Sequence, residues 1–504
     1  MTNLYAIFPY FLALALSVLS LNASGQSTPV TSAKEEPMKE FFGINENLIQ
    51  GYNNAEDLAP VVGWIRDYTH WRYYEPANND YNFTHIQDTF NQDAIYQQLK
   101  DLGIKPLPVV MEAPVWISTH PQSERATRYA PAGDQDGSSP EHYREAAEFF
   151  YQYAARYGSQ QLPDDKLRTS DKKSGLNLIP VVEVFNEADG DTSWGNFITR
   201  KQYASLLNAV YDGNQGKMGD GYGVKAADPD LPVSITGLGF NLDALKEITR
   251  YAGRAPYDII NVHFYTFRYA RENYRVSVPP EWSSLVEDMQ EIIEWGKVHA
   301  PGRPVWLTEI GWDTKPYNPE AVTEQEAANY LIRTFLLTKG AGVDKCFWFY
   351  NRDLDNQPRK GVFATSGLFE NITVPSQGVT QLKPKLTYWY FGTMTHLIGD
   401  LYYKEDHSQQ QDSTVYHYTF QSADEKKEVS VVWYCPPYVY KWRQLVEHPA
   451  SQSYTIPIPE GATSVRIVRP TGGTFQGESH PVLRDQSTLT LQATATPQFI
   501  EIIY

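Results

Sequence analysis

Short apolar runs alternate with longer segments of helical periodicity from residue 39 to about residue 400. A short apolar run between turn signals is typical of a buried strand, and apolar residues that recur every three or four positions are typical of a helix. Eight runs are predicted to be strands: Phe41–Asn45, Gly63–Tyr68, Ile104–Met111, Leu178–Phe185, Val233–Thr236, Ile259–Tyr265, Val305–Thr308 and Lys345–Tyr350. Because each precedes a helical segment, residues 39–399 are predicted to form a (β/α)8 TIM barrel. A doubly wound open sheet is the alternative, but no GxGxxG or P-loop motif supports it.

One of the helical segments between these runs has a recognisable beginning and end. Thr323 and Glu326 have the spacing of a capping box, and Gly340 is predicted to end the helix that they begin. An amphipathic segment over Lys385–Ile398 is predicted to close the barrel.

The pattern changes after the closing helix. Six short runs rich in β-branched and aromatic residues are separated by Gly, Pro and Asp turns: Val415–Phe420, Glu428–Tyr434, Tyr454–Ile458, Ser464–Val468, Thr488–Leu491 and Phe499–Tyr504. Residues 400–504 are therefore predicted to form an all-β accessory domain, a β-sandwich. We expect its aromatic residues to pack against the barrel, and a sugar-binding role is the alternative.

The N-terminus has the pattern of a secretory signal peptide. Leu4–Leu21 is almost entirely apolar, and Ala23-Ser24-Gly25 offers small residues for cleavage. Residues 1–25 are therefore predicted to be a signal peptide and residues 26–38 a polar tether. The expected localisation is secreted, periplasmic or cell-surface, with no membrane contact after signal removal; an uncleaved membrane anchor is the alternative.

Composition excludes several classes of protein. The 504 residues are 41% hydrophobic and 20% charged, which is sufficient for a sizeable core. Asp and Glu outnumber Lys and Arg by 60 to 43, so the net charge is −17 and a nucleic-acid partner is not expected. Two cysteines exclude a disulfide scaffold, and Cys346 and Cys435 are expected to be buried thiols.

Two of the predicted barrel strands end in glutamate, an unusual residue at the end of an apolar strand. Asn186-Glu187 ends the fourth strand, and Glu309 ends the seventh. Active sites of such barrels lie at the carboxyl ends of the strands. Hydrolysis of a glycoside needs two carboxyl groups there, one protonated and one ionised. The alternative is that each glutamate only begins a loop or caps a helix.

These motifs resemble the 4/7 clan of retaining glycoside hydrolases, and most closely family 39, the β-xylosidase and α-iduronidase group. Families 5 and 30 share many of the same features. Beside the two glutamate motifs, the resembling segments are Arg66-Asp67-Tyr68 with Trp71 and Glu75-Pro76, Gly103-Ile104-Lys105-Pro106-Leu107 with Ala113-Pro114-Val115-Trp116, Val262-His263-Phe264-Tyr265, Phe347-Trp348-Phe349-Tyr350 and Lys383-Pro384-Lys385.

The resemblance implies a role for each matching position. Glu187 resembles the general acid/base and Glu309 the nucleophile, with the carboxyl groups about 5–5.5 Å apart. Asn186 would donate to the sugar 2-hydroxyl. Tyr265 would hydrogen-bond Glu309 and hold it ionised, and Arg66 would supply a positive charge beside it.

Other side chains are candidates for substrate binding. His263 lies on the same strand face as Tyr265, and Trp348 shares a face with Tyr350, since side chains alternate along a strand. We expect His263 to contact sugar hydroxyls and Trp348 to form a floor on which the sugar stacks; core packing is the alternative for both. Trp116 and Trp312 follow strand ends and are further candidates. We expect Glu183, on the same face as Glu187, to be the buried partner of a basic group.

The predicted function is hydrolysis of an oligo- or polysaccharide through a covalent glycosyl intermediate, without a metal or other cofactor. Arg268, Arg271 and Arg275 follow the sixth strand and would suit an anionic sugar, because guanidinium binds carboxylate or sulfate with two bonds. A solvated loop in which Glu272 pairs with an arginine is the alternative. A non-catalytic carbohydrate-binding barrel and a transglycosylase are the alternative functions. An esterase or metal hydrolase has no GxSxG or HExxH motif to support it.

Overall fold

The computed structural model describes residues 36–50, 54–117, 131, 133, 135–188, 198–239, 242–271, 274–315, 320–354, 363–374, 379–408, 414–438, 440–441, 444–445, 449–482 and 487–504. Residues 1–25 and most of the predicted tether lie outside them. Among the described residues, no helix is both long and apolar enough to cross a membrane.

The strands and helices of the described residues follow in chain order. The strands are β1 Phe42–Glu46, β2 Trp64–His70, β3 Lys105–Met111, β4 Val182–Val184, β5 Val233–Ser234, β6 Leu238–Gly239, β7 Ile260–His263, β8 Phe267–Arg271, β9 Tyr274–Ser277, β10 Val305–Ile310, β11 Lys345–Trp348, β12 Phe369–Val374, β13 Val379–Pro384, β14 Tyr402–Asp406, β15 Val415–Gln421, β16 Lys427–Tyr434, β17 Tyr440–Lys441, β18 Gln444–Leu445, β19 Ser451–Pro457, β20 Ser464–Thr471, β21 Thr474–Pro481, β22 Thr488–Thr494 and β23 Gln498–Ile503. The helices are α1 Ala55–Leu58, α2 Trp71–Tyr74, α3 Gln92–Asp101, α4 Arg144–Tyr157, α5 Arg200–Asp212, α6 Val224–Ala227, α7 Leu242–Ala252, α8 Leu285–His299, α9 Glu324–Ala341 and α10 Leu386–Ile398.

The first large sheet is the predicted (β/α)8 barrel. Its parallel strands lie in the order β5-β4-β3-β2-β1-β11-β10-β7-β6, and a bridge between Ser234 and Ile259 closes the ring. The fifth barrel strand, predicted as Val233–Thr236, is broken into β5 and β6. At the break the backbone N–H of Thr236 donates to Tyr203 and that of Gly237 donates to Glu183, so side chains replace the missing ladder bonds.

Apolar and polar side chains fill different levels of the barrel. Six buried apolar side chains pack together at the N-terminal ends of the strands and form the barrel floor: Trp64, Leu107, Val181, Ile259, Trp306 and Phe347. Buried polar groups such as Arg66 and Glu183 lie further along the same strands. The strands therefore carry their chemistry at the C-terminal end, as a barrel of this kind requires.

The helix that begins at Thr323 does not end at Gly340, which corrects the sequence expectation. The capping box of Thr323 and Glu326 is present, but α9 continues through Ala341 and ends at Gly342, whose φ of +96° favours glycine. Gly340 lies inside the helix, where the ring of Tyr418 packs against it. A Cβ atom at Gly340 would lie 2.6 Å from that ring.

The C-terminal strands form the predicted β-sandwich. An antiparallel sheet in the order β14-β15-β16-β23-β20-β21 packs one face on the pair β19-β22, through side chains such as Val432, Leu489 and Ile500. Strands β14 and β21 lie at the sheet edges and were not predicted, because most of their side chains are exposed and polar. The hairpin β12-β13, between barrel and sandwich, was not predicted either.

A buried ion pair joins the sandwich to the barrel. Arg333 of α9 donates two guanidinium nitrogens to the carboxylate of Glu281, just before α8, and the Arg333 Nε to Glu281 Oε1 distance is 2.7 Å. The indole of Trp433, on β16, donates to the same carboxylate at 2.7 Å. Cys346 and Cys435 are both buried free thiols, as predicted.

Candidate active site

A cavity of about 740 Å³ opens at the C-terminal ends of the barrel strands. Glu187 and Glu309 both line it, together with Asn186, His263 and Tyr265. With Tyr350, the cavity therefore brings together six of the ten side chains that the sequence predicted for the site.

Glu309, near the end of β10, is buried and accepts hydrogen bonds on both carboxylate oxygens. Its Oε1 accepts from the Nη1 of Arg66 at 2.8 Å and from the hydroxyl of Tyr68 at 2.5 Å. Its Oε2 accepts from the hydroxyl of Tyr265 at 2.9 Å. The contacts with Arg66 and Tyr265 are those that the sequence resemblance implied, and Tyr68 adds one that was not predicted.

These contacts hold the Glu309 carboxyl in its ionised form. Burial alone would raise its pKa, but His263, Arg66 and the two tyrosine hydroxyls outweigh burial and bring the pKa below its ordinary value of 4.5. Burial, and then the Glu309 charge, raise the pKa of Tyr68 and of Tyr265 well above 10.0, so both hydroxyls keep their protons. Glu309 is thus poised as an anion with three fixed donors.

Arg66, on β2, connects the site to the polar level of the barrel. Its Nε and Nη2 each lie 2.7 Å from an oxygen of Glu183, and this pair is fully buried, as predicted for Glu183. The Nη2 also donates to Asn186 Oδ1 at 2.7 Å. A single guanidinium therefore holds Glu309, Glu183 and Asn186 in fixed relation.

Glu187 follows β4 where the backbone turns sharply. Phe185 has φ +60° and Glu187 has φ +49°, values that non-glycine residues seldom adopt and that concentrate at functional sites. The Glu187 carboxylate is half-buried, and its Oε1 lies 2.9 Å from the Nδ1 of His263. Carboxylate oxygens of Glu187 and Glu309 lie within 4.8 Å of each other.

His263, at the end of β7, lies between the two glutamates. Its Nδ1 is also 3.5 Å from Glu309 Oε2, and its buried Nε2 has no hydrogen-bond partner among the described residues. The imidazole packs against Gly237, where a Cβ atom would lie 1.9 Å from Nε2. A glycine at residue 237 is therefore what leaves space for this ring.

The predicted tryptophans lie away from the cavity wall, which corrects the expected stacking floor. Phe347 faces the barrel floor, so alternation along the strand turns Trp348 outward, where it is fully buried against Trp312. Trp116 donates its indole N–H to the Glu75 backbone instead. The aromatic side chains of the wall include Tyr350, as predicted, and Phe267, Phe349 and Phe363, which were not.

The polar wall residues that were not predicted include Asn47, Tyr68 and His70. Tyr68 and His70 lie two and four residues after Arg66, so they share its strand face. This alternation was available from the sequence, but the strand was predicted to end at Tyr68. Asn47 follows β1 and carried no comparable signal.

The arginines after the sixth strand are engaged with other protein groups. Arg275 lines the cavity, but its Nε and Nη2 donate to the two carboxylate oxygens of Glu320 at 2.7 and 3.0 Å. Arg268 donates to the Trp282 backbone carbonyl and packs over the ring of Tyr438. The side chain of Arg271, Glu272 and the loop with Arg125 and Arg128 lie outside the described residues.

Glu187, His263 and Glu309 are the described residues whose donor atoms are close enough together to hold a metal ion. Their chemistry fits hydrogen bonding better than metal binding. Glu309 already accepts from a guanidinium and two hydroxyls, and the fixed charge of Arg66 at 2.8 Å would repel a cation.

Known structures share this fold. A family 39 glycoside hydrolase from the gut symbiont Bacteroides cellulosilyticus is 18% identical with a TM-score of 0.63, and the alignment covers 94% of this chain and 82% of that one. A β-xylosidase from Caulobacter crescentus is 16% identical with a TM-score of 0.59, covering 94% and 97%. An α-L-arabinofuranosidase from Thermotoga maritima is 14% identical with a TM-score of 0.57, covering 95% and 98%.

No protein-family model and no curated protein matches the sequence. Structural similarity at these identities establishes the fold. The chain therefore has the fold of these glycoside hydrolases, a (β/α)8 barrel followed by a β-sandwich, and the sequence resemblance to the retaining 4/7 clan, nearest to family 39, is confirmed at the level of the fold.

Proposed function

We propose that this protein is a glycoside hydrolase that cleaves a glycosidic bond with retention of anomeric configuration. The observation that carries the proposal is the spacing of Glu187 and Glu309, whose carboxylate oxygens lie within 4.8 Å. Retaining enzymes place the two carboxyl groups about 5–5.5 Å apart, whereas inverting enzymes need about 6.5–9.5 Å to admit a water molecule. The spacing here favours a direct attack by one carboxylate.

The proposed reaction has two displacements. Glu309 attacks the anomeric carbon while Glu187 gives its proton to the leaving oxygen, so a carbon–oxygen bond to Glu309 forms as the glycosidic bond breaks. Glu187 then takes a proton from water, and the water oxygen displaces Glu309. The lowered pKa of Glu309 supports its assignment as the anionic partner.

Arg66 would orient Glu309 without neutralising it. The guanidinium carries one positive charge, which it shares between Glu183 and Glu309. The carboxylate therefore keeps negative charge for the attack, while three fixed donors aim it at the sugar. This arrangement supports a nucleophile more than a structural ion pair.

A neutral sugar is the substrate class that the cavity favours. Arg275, which lines the cavity, and Arg66, which contacts Glu309, are already paired with carboxylates. Asp288 and the anionic Glu309 add negative groups to the wall. A uronic acid or sulfated sugar would meet charges of its own sign here, so we expect 4-nitrophenyl glycosides of neutral pentoses and hexoses to be cleaved in preference to uronides.

Substitution of the two glutamates tests the assignment. Glu309→Ala should lower kcat by about 10⁴-fold or more while sugar binding survives. Glu187→Ala should spare aryl glycosides with good leaving groups more than unactivated substrates, because such leaving groups need no proton. Azide should restore turnover to one or both variants, and proton NMR should show retention in the first product.

A matched control comes from the outer surface of the barrel. Glu148 has a mostly buried side chain and pairs with Arg168 at 2.9 Å, so Glu148→Ala also removes a paired carboxylate. That variant should keep wild-type kcat. Near-normal activity of Glu309→Ala, or an inverted product, would contradict the proposed mechanism. Analysis of products at high sugar concentration separates hydrolysis from transglycosylation.

We also propose that the chain is exported, on the basis of the signal-peptide pattern over residues 1–25. N-terminal sequencing of protein purified from cells that secrete it should begin near Gln26. Recovery of the intact N-terminus in a membrane fraction would instead support an uncleaved anchor.

A further inference from the structure

Two side chains at the β1–β2 side of the cavity have no part in the chemistry proposed above. Asn47 follows β1, His70 ends β2, and both line the cavity wall. Arg66 and Tyr68 precede His70 on the same face of β2, and both contact Glu309. Asn47 and His70 thus continue the line of polar groups from Glu309 toward the cavity opening.

Asn47 presents a buried hydrogen-bond acceptor that has no partner. The residue is 6% exposed, and its Oδ1 is buried without a hydrogen bond from any described residue. Buried polar atoms in folded proteins are nearly always hydrogen-bonded, because an unpaired one retains its full desolvation cost. An unpaired amide oxygen on a cavity wall is therefore placed to accept a hydrogen bond from a bound molecule.

The neighbouring residues determine which atom of the Asn47 amide has no hydrogen-bond partner. Glu112 lies 2.8 Å from the Nδ1 of His70 and 3.1 Å from a guanidinium nitrogen of Arg72. A carboxylate accepts hydrogen bonds, so it selects the His70 tautomer with the proton on Nδ1. The His70 Nε2 then accepts from the Nδ2 of Asn47 at 3.1 Å. The Oδ1 is consequently the atom that remains available.

The backbone of Asn47 is also fixed. Its N–H donates to Glu46 Oε1 at 2.7 Å, and Arg352 pairs with the same oxygen at 3.1 Å. Glu46 and Arg352 are both buried. The acceptor is therefore oriented before any ligand binds, which reduces the entropy cost of recognition.

We propose that Asn47 Oδ1 accepts a hydrogen bond from a hydroxyl group of the glycone, the sugar that forms the covalent intermediate. Strand order places Asn47 beyond β2, while Glu187, which would protonate the leaving group, follows β4 on the other side of β2. This inference takes the ligand to be a sugar, and so rests on the proposed function. Asn47 is the specificity residue, and His70 and Glu112 are positioning residues that act through it.

The first test measures binding without turnover. Calorimetry with a Glu309→Gln variant and a panel of 4-nitrophenyl pentosides and hexosides identifies the best-bound glycoside. Adding Asn47→Ala should weaken that binding by about tenfold. One monodeoxy analogue of that glycoside should bind to Glu309→Gln about tenfold more weakly than the parent glycoside does. The variant with both Glu309→Gln and Asn47→Ala should bind that analogue and the parent equally. Removing the sugar hydroxyl and removing the Asn47 amide delete the same hydrogen bond, so their effects should not add.

The second test addresses the positioning residues. Glu112→Gln replaces the carboxylate that fixes the His70 tautomer. KM for the same glycoside should therefore rise several-fold, while kcat stays nearly unchanged. The variant should also discriminate less between this glycoside and its deoxy analogue. Glu148→Gln is the matched control, since the exposed fractions of the Glu148 and Glu112 side chains are 12% and 11% and both pair with an arginine. It should change neither constant.

The outcomes separate the two proposals. Equal binding to Glu309→Gln with and without Asn47→Ala overturns the inference and leaves the hydrolase proposal intact. Binding that depends on Asn47, in a protein whose wild type cleaves none of the glycosides, supports the inference and contradicts the hydrolase proposal. Failure of every glycoside to bind or react contradicts both.

Discussion

Two buried arginines of the barrel, Arg66 and Arg333, have nearly the same local chemistry. Both side chains are at most 2% exposed, and each donates two guanidinium nitrogens to one glutamate. Burial opposes the charged form in each case, but the paired carboxylate outweighs burial and raises the pKa of both arginines above its ordinary value. Two glutamates, Glu183 and Glu281, thus keep both arginines charged in the interior.

The remaining nitrogen of each arginine distinguishes them. The Nη1 of Arg66 reaches Glu309, which lines the cavity. The Nη1 of Arg333 reaches the backbone carbonyl of Ala495 in the β-sandwich. A buried ion pair is therefore no evidence of function in itself. What differs is whether its hydrogen bonds lead to a group on the cavity wall or to another domain.

Among the changes that compare the two arginine sites, Arg66→Lys should give the largest effect. A lysine keeps the charge but cannot hold Glu183, Asn186 and Glu309 together, so kcat should fall by about 10²–10³-fold, the usual effect of losing one preorganised donor in an active site. Steady-state kinetics on an aryl glycoside measures it. Retention of more than a tenth of wild-type kcat would make Arg66 a structural residue like Arg333.

The same change at the other pair, Arg333→Lys, should affect stability instead. Loss of one charged hydrogen bond to Glu281 should lower the free energy of unfolding by about 1.5–3 kcal/mol. Urea denaturation measures this change. Because the pair lies between barrel and sandwich, kcat at 25 °C should be unchanged, and a large loss of kcat in the folded variant would show that the two pairs are coupled.

Tyr68→Phe should have a smaller, pH-dependent effect. The Tyr68 hydroxyl stabilises the Glu309 anion, so its removal should raise the Glu309 pKa and shift the acid limb of kcat/KM upward by about one pH unit. The lowered Glu309 pKa also contributes to the free energy of unfolding. This contribution is present above pH 4.5 and is lost as the pH falls through the pKa of Glu309 in the folded protein. The Tyr68→Phe variant should therefore have a smaller contribution from Glu309.

Trp433→Phe provides the control for the tyrosine variant. It likewise removes one neutral donor from a glutamate that is paired with an arginine, in this case Glu281. The pH profile of kcat/KM should therefore match that of the wild type. A shift as large as that of Tyr68→Phe would show that the profile reports a general change in the protein.

A chelator should have the smallest effect. We expect the counter-charge of Glu309 to be the guanidinium of Arg66, so dialysis against EDTA should leave kcat and the melting temperature unchanged. A loss of activity that Zn²⁺ or Ca²⁺ restores would mean that Glu187, His263 and Glu309 bind a metal ion instead.

The sequence predicts the fold and the two glutamates because both rest on short-range patterns. Apolar runs show where strands lie, and a glutamate at a strand end is visible without knowledge of the rest of the chain. The edge strands β14 and β21 were missed because many of their side chains are exposed. The break between β5 and β6 was missed because it goes with hydrogen bonds to the distant side chains of Tyr203 and Glu183.

The walls of the cavity were harder to predict. Whether Phe347 or Trp348 faces inward depends on strand register, and a shift of one residue exchanges the two faces. Asn47 and Phe363 come from segments after strand ends, whose side-chain directions depend on tertiary packing. The residues of the cavity wall are therefore less predictable than the two glutamates at the strand ends.

The barrel floor has a consequence for the order of events. Six apolar side chains close the end of the barrel opposite the cavity. Among the described residues, the opening at the C-terminal strand ends is therefore the route by which molecules enter and leave the cavity. In the proposed reaction the departing saccharide then uses the same passage as the incoming water. The covalent intermediate must outlive the exit of its first product, and any sugar that lingers in that passage competes with water for the glycosyl group.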